Sequence, residues 1–292
     1  MDKEDLKRMA EDPNYIPGIY NYCDRWCERC PFTARCMNFA MGEEYFPDQE
    51  ARDINNAAFW DQMHEVFQAT LGLIQDMAEE AGIDLDTLEV DEDWAAREEQ
   101  LQEDARNHPL ARAAEAYTEQ AIAWYEGAGD LFKEKEDALN RTLRLGLANA
   151  RPQEEADAII DAVEIIHWYQ YQIHVKILRA LHGDMEERLE ILEGMPRDAD
   201  GSAKVSLIGI DRSIGGWRTL WTHFPDQEDA ILPILVHLER LRRTVEAAFP
   251  DARAFFRPGF DGMPPEDEFE GDFDDDFDDD FGDWFEEGFE DE

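Results

Sequence analysis

The stretch from Pro152 to about Gly183 limits the possible folds more than any other. Pro152 suits the first turn of a helix. Ile159, Val163, Ile166, Ile173 and Ile177 then follow at helical spacing along one face. The opposite side is also apolar, through Ile160, Trp168, Tyr171, Val175 and Leu178. A helix apolar on two sides has to be covered on two sides, which predicts that it runs through the middle of a bundle.

The neighbouring segments supply helices to cover it. Phe59, Met63, Val66, Thr70, Leu73 and Met77 form a stripe in a segment that begins near residue 49 and stops at Gly82. An acidic linker over 83–93 and a polar helix over Trp94–Arg106 follow. Pro109 opens a long helix to Leu145, apolar through Leu110, Ala114, Tyr117, Ala121, Trp124, Ala128 and Leu131, with a kink expected at Gly127 and Gly129. Ser202–Phe224 carries the stripe Leu207, Ile210, Ile214, Trp217, Trp221 and Phe224, and Gly209, Gly215 and Gly216 there would admit a close neighbour. Asp229–Phe249 is the last, with Ile234, Leu238, Leu241 and Val245 facing inward and Pro233 near its start. Alternating strand patterns and tight hairpin signals are absent. The expected fold class is all-α: a bundle of about five main helices over 49–250, an irregular N-terminal four-cysteine metal module over 1–48, and a disordered acidic tail over 251–292.

Charge narrows the function classes. The 292 residues carry a net charge of -44, and seventeen of the acidic residues fall between Glu266 and Glu292, where no basic residue occurs. No basic patch is available to displace phosphate counterions, so direct nucleic-acid binding is not expected, nor is binding to an anionic membrane. No apolar run is long enough to cross a bilayer. The charged opening MDKEDLKRMAEDPN has no apolar signal region. A cytoplasmic location is therefore expected, where cysteines persist as thiols or metal ligands and not as disulfides.

All four cysteines lie between Tyr20 and Phe39: Cys23, Cys27, Cys30 and Cys36, spaced Cys-x3-Cys-x2-Cys-x5-Cys. Four soft thiolates this close together can wrap one metal centre without help from the body, and they suit zinc or an iron–sulfur cluster. Four ligands complete either site, so an open catalytic position is not implied. Structural zinc more often uses two close pairs separated by a longer loop. Compact runs with Pro after a cysteine are common among cluster ligands. Tyr20, Tyr22, Trp26, Phe32 and Phe39 would dock the module on the bundle and shield the centre from solvent.

The segment Cys27-Glu-Arg-Cys30-Pro31-Phe32-Thr-Ala-Arg-Cys36 resembles the CxxCPFxxxC element that, with one further cysteine, holds a [4Fe-4S] cluster in Cas4-type and AddB-type nucleases. Auxiliary-cluster domains of radical-SAM enzymes carry a similar piece. Some ten residues are involved, and the chain shows neither a nuclease core nor a barrel. The resemblance implies cluster ligation by Cys27, Cys30 and Cys36 with Cys23 as fourth ligand. It does not extend to nuclease or radical chemistry. The bare Cys23-x3-Cys27-x2-Cys30 spacing also matches radical-SAM enzymes, but there three ligands leave one iron open, whereas Cys36 would close the site here.

Two further features bear on function. Glu164, His167, Tyr171 and His174 share one face of the central helix. The Glu-x-x-His pair is the element used twice in di-iron bundles, and no second copy is present. A hydrogen-bonded core pair or a small pocket between helices is the simpler expectation, with Asp211 and Arg212 either joining it or forming an ordinary ion pair. In the tail, Phe269, Phe273, Phe277, Phe281, Phe285 and Phe289 recur every four residues among aspartates and glutamates. Such a segment cannot bury itself, and it suits a protein partner whose basic groove carries apolar pockets. It would otherwise serve as a solubilising tail. Taken together, these features predict a non-catalytic metal-binding protein with a helical scaffold. A redox enzyme with its chemistry at Glu164 and His167 is the alternative.

Overall fold

The computed structural model describes residues 3–48, 50–85, 93–146, 150–187 and 197–262. Among these residues the chain is helical and contains no strand. Nine α-helices occur: α1 (Lys3–Ala10), α2 (Met37–Tyr45), α3 (Ala57–Glu80), α4 (Trp94–Asn107), α5 (Pro109–Gly127), α6 (Gly129–Leu145), α7 (Pro152–Glu187), α8 (Asp198–His223) and α9 (Glu228–Ala248).

The core lies among α5, α7, α8 and α9. Ile166, Ile173 and Ile177 of α7 are fully enclosed with Leu207, Ile210, Trp217 and Leu220 of α8 and with Ile231 and Leu238 of α9. Helix α7 packs most extensively on α8, and α4, α5 and α6 also lie against it. The α7–α8 approach is close because Gly209 and Gly216 omit a side chain. A Cβ at Gly209 would sit 2.9 Å from Tyr169, and one at Gly216 would sit 3.1 Å from the Ala162 carbonyl. Gly215 faces open space. The expected break at Gly127–Gly129 is complete: α5 ends at Gly127 and α6 begins at Gly129, so one expected helix becomes two.

Two elements differ from expectation. Helix α7 is covered on one side more than the other: Tyr171 and Val175 remain 56% and 57% exposed, and Ile160 is exposed as well. Helix α3 forms as expected but contributes no side chain to the continuous core. It pairs with α1, joined by a Lys3–Asp76 ion pair at 2.6 Å, and Phe59 meets Phe46 at the end of α2. Met77, expected to face inward, is exposed with Trp60, Phe67, Leu71 and Ile74. Periodicity marks an apolar face but does not say which element covers it.

After α9 the chain does not leave the body at once. Residues 251–262 form turns that lie along the N-terminal module. Phe255 meets Tyr22 edge-on at 4.6 Å and Phe260 meets Phe32 at 5.1 Å. Gly259, at φ +78°, turns the chain where a Cβ would sit 2.9 Å from Ile19. Lys204 of α8 fastens this strap through the Phe255 carbonyl at 2.5 Å and the Asp261 carboxylate at 2.6 Å. The sequence reading gives these residues to the tail. The Phe-repeat tail itself, 263–292, lies outside the described residues.

Candidate metal centre

The cysteine stretch is built from short turns. Arg25 takes a left-handed conformation, φ 54°, directly after Cys23 and Asp24. Residues Cys27–Arg29 and Thr33–Arg35 each make one 3-10 turn, closed by Cys30 N–H to the Cys27 carbonyl at 3.2 Å and Cys36 N–H to the Thr33 carbonyl at 3.3 Å. Pro31 separates the two turns. The repeated reversal brings Cys23, Cys27, Cys30 and Cys36 to the wall of one small cavity. Ile19, Tyr20, Trp26, Phe39 and the strap's Phe260 complete a largely apolar lining.

All four thiols are free and half-buried. Burial pushes the Cys23 and Cys27 thiols up from their ordinary value, and at Cys27 the other three sulfurs add to that rise. Negative charge on one sulfur therefore opposes charge on the next. The Phe32 N–H donates to Cys30 Sγ at 3.4 Å, and the Cys23 thiol donates to the Tyr20 carbonyl at 3.5 Å. Among the described residues no three His, Cys, Asp or Glu side chains converge on a point suited to a single metal ion.

Asp24 is the most heavily bonded of the residues that anchor the module. Asp24 has its backbone carbonyl bonded by Trp168 Nε1 at 3.0 Å and by Gln172 Nε2 of α7. Its carboxylate accepts from Arg212 of α8 at 2.8 Å, from the Tyr169 hydroxyl, and from the Trp26 N–H at 3.2 Å. Trp26, only 8% exposed, stacks on Trp168 with centroids 5.1 Å apart, while Arg29 covers its other neighbourhood at 4.2 Å. Arg29 then reaches Asp161 at 2.5 Å and Glu164. The Tyr22 hydroxyl donates to Asp198 at 2.9 Å. The docking role expected of Tyr22 and Trp26 is seen in these contacts, whereas Phe32 meets Phe260 of the strap.

The stripe Glu164, His167, Tyr171 and His174 is not brought together. Glu164 is exposed and holds Arg29, His167 lies against the Tyr125 ring at 4.3 Å, Tyr171 faces outward, and His174 bonds the Ala111 carbonyl at 3.1 Å. Shared spacing gave them a common face, but Glu164 meets Arg29, His167 and His174 meet different residues of α5, and Tyr171 faces outward. Asp211 and Arg212 do not pair with each other either: Asp211 accepts from Arg253 at 2.7 Å and Arg242 at 3.4 Å, and Arg212 serves Asp24. Sequence reading missed Asp24, Arg29, Gln172 and Arg212 as anchors. Their partners lie more than a hundred residues away, and the only local signal was a set of charged residues between cysteines.

No protein-family model, curated protein or solved structure matches the chain.

Proposed function

We propose that the chain is a metal-binding protein that carries a [4Fe-4S] cluster on Cys23, Cys27, Cys30 and Cys36, held against a helical scaffold. The observation that carries this reading is the common cavity walled by all four cysteines. Burial and the three neighbouring sulfurs hold the Cys27 thiol up, so charge on all four sulfurs calls for a positive centre between them. An iron–sulfur core would supply that charge and accept or release an electron. The residues fit it: four soft ligands, an apolar wall, and N–H donors aimed at sulfur.

Zinc is the second reading, because four thiolates also satisfy it. A lone zinc draws its sulfurs to about 2.3 Å from one point. The compact spacing of the four cysteines, with Pro31 directly after Cys30, favours the cluster between the two. The alternative of chemistry at Glu164 and His167 is weakened by their separate partners. The acidic Phe-repeat tail is read as a recruiting segment for a basic protein partner; full-length protein and protein ending at Pro265 should then retain different partners. Cys30→Ser tests the ligand assignment. It should abolish or convert the bound centre, and unchanged metal content would remove Cys30 from the ligand set.

A further inference from the structure

Helix α7 meets the cysteine module along Trp168, Gln172 and Arg179. Gln172 bonds the Asp24 carbonyl and Arg179 bonds the Asn21 carbonyl at 3.5 Å. Lys176 lies between these two, one turn from each on the same face. The chain between their targets is Tyr22 and Cys23, so Lys176 stands opposite Cys23. It is 8% exposed, on a protein whose lysines are otherwise free to reach water or a carboxylate. Among the described residues its ammonium group makes no hydrogen bond or ion pair. Its charged neighbours are Arg179 and Arg25, which repel it, and Cys23 and Asp198, which attract it, although Asp198 is already committed to Arg179 at 2.8 Å.

A largely enclosed ammonium group whose carboxylate neighbour is shared with another cation gains from further negative charge nearby. The cysteine cavity beside it is the place where negative charge would gather once four thiolates hold a metal core. We propose that Lys176 is a counter-charge for the metal centre, raising its reduction potential by stabilising the more negative, reduced state. The proposal rests on the cluster reading given above. Burial, Arg179 and Arg25 lower the Lys176 pKa overall, and the Cys23 and Asp198 charges oppose that fall. One-electron reduction adds one negative charge to the core, and a nearby fixed cation favours that state because Coulomb attraction is strong where water is excluded.

The test is a redox titration of anaerobically purified, iron-loaded protein with dithionite, followed by absorbance and electron paramagnetic resonance. Lys176→Met keeps the length and apolar stem but removes the charge; Lys176→Arg keeps the charge. The midpoint of the Met variant should move to more negative potential, and that of the Arg variant should stay near the parent. An unchanged midpoint in Lys176→Met, or equal shifts in both variants, overturns the proposal and leaves Lys176 a packing role. If the Met variant does not load, Lys176→Gln replaces it. Failure of both neutral variants with normal loading of Lys176→Arg supports a requirement for the charge, and failure of all three variants overturns it. Parent protein without iron would instead sink the cluster reading itself.

Discussion

Trp26→Ala should detach the cysteine module from the bundle while the bundle stays folded. An aromatic side chain of this kind buries about 150–250 Å². At about 25 cal/mol per Å² that is worth roughly 4–6 kcal/mol. Residual burial in the unfolded chain reduces the figure by about 10–40%. The remainder, about 3–5 kcal/mol, agrees with the usual cost of Trp→Ala in a core. The stack on Trp168 at 5.1 Å and the Arg29 contact at 4.2 Å are lost with it. Such a loss is comparable to the whole attachment of a small module but smaller than the stability of a large helical body, typically about 5–15 kcal/mol. Two assays separate the effects. Alkylation rates of the four thiols in metal-free protein should rise steeply, and the main urea transition, followed by far-ultraviolet circular dichroism, should move little. If the thiols of Trp26→Ala react no faster than those of the parent, Trp26 does not hold the module and the docking argument fails.

Further predictions probe the same interface. At Gly201 a Cβ would sit 2.3 Å from the Tyr22 ring and 2.7 Å from Phe255, so Gly201→Ala should cost about 1–3 kcal/mol through overpacking. Gly215 faces open space, and Gly215→Ala should instead stabilise α8 by up to about 1 kcal/mol; equal signs in urea unfolding would contradict the close approach at Gly201. Asp261 is pulled down to about 2: burial pushes its pKa up, but hydrogen bonds from Arg257 and Lys204 outweigh that. A depressed carboxylate pKa stabilises the fold above the unfolded value of about 3.9 and stops doing so as pH falls through the folded value. The stability gap between metal-free parent and Asp261→Asn should therefore be full at neutral pH and close between about pH 4 and 2. A gap that persists at the acid end would assign Asp261 a role other than charge.

Much of this architecture was legible in the sequence because local rules dominate it. Gly146, in the left-handed region, and Pro225 end helices where their backbone chemistry demands, and the stripe Leu207, Ile210, Trp217 lies in the core as its spacing predicts. The grouping of the cysteines around one cavity was legible in part, since they fall within fourteen residues, but the contacts of Asp24 with α7 and α8 and the Phe260 wall were not. What failed to show was what each face meets. The α3 stripe reads like a core stripe, yet α1 is its main neighbour. Glu164 and His167 read as a pair, yet Arg29, 135 residues away in sequence, takes the carboxylate. The strap over 251–262 was hidden in an acidic C-terminal context, although Phe255 and Phe260 were the available signal that this piece could be buried.

Full-length protein purified without oxygen and assayed for iron, acid-labile sulfide and zinc, alongside its visible spectrum, addresses the main proposal most directly. The account expects about four iron and four sulfide per chain, with broad thiolate-to-iron absorption that bleaches on reduction. Colourless protein with one zinc would replace the cluster by a structural ion, and protein holding neither metal would contradict the reading of these four sulfurs as ligands.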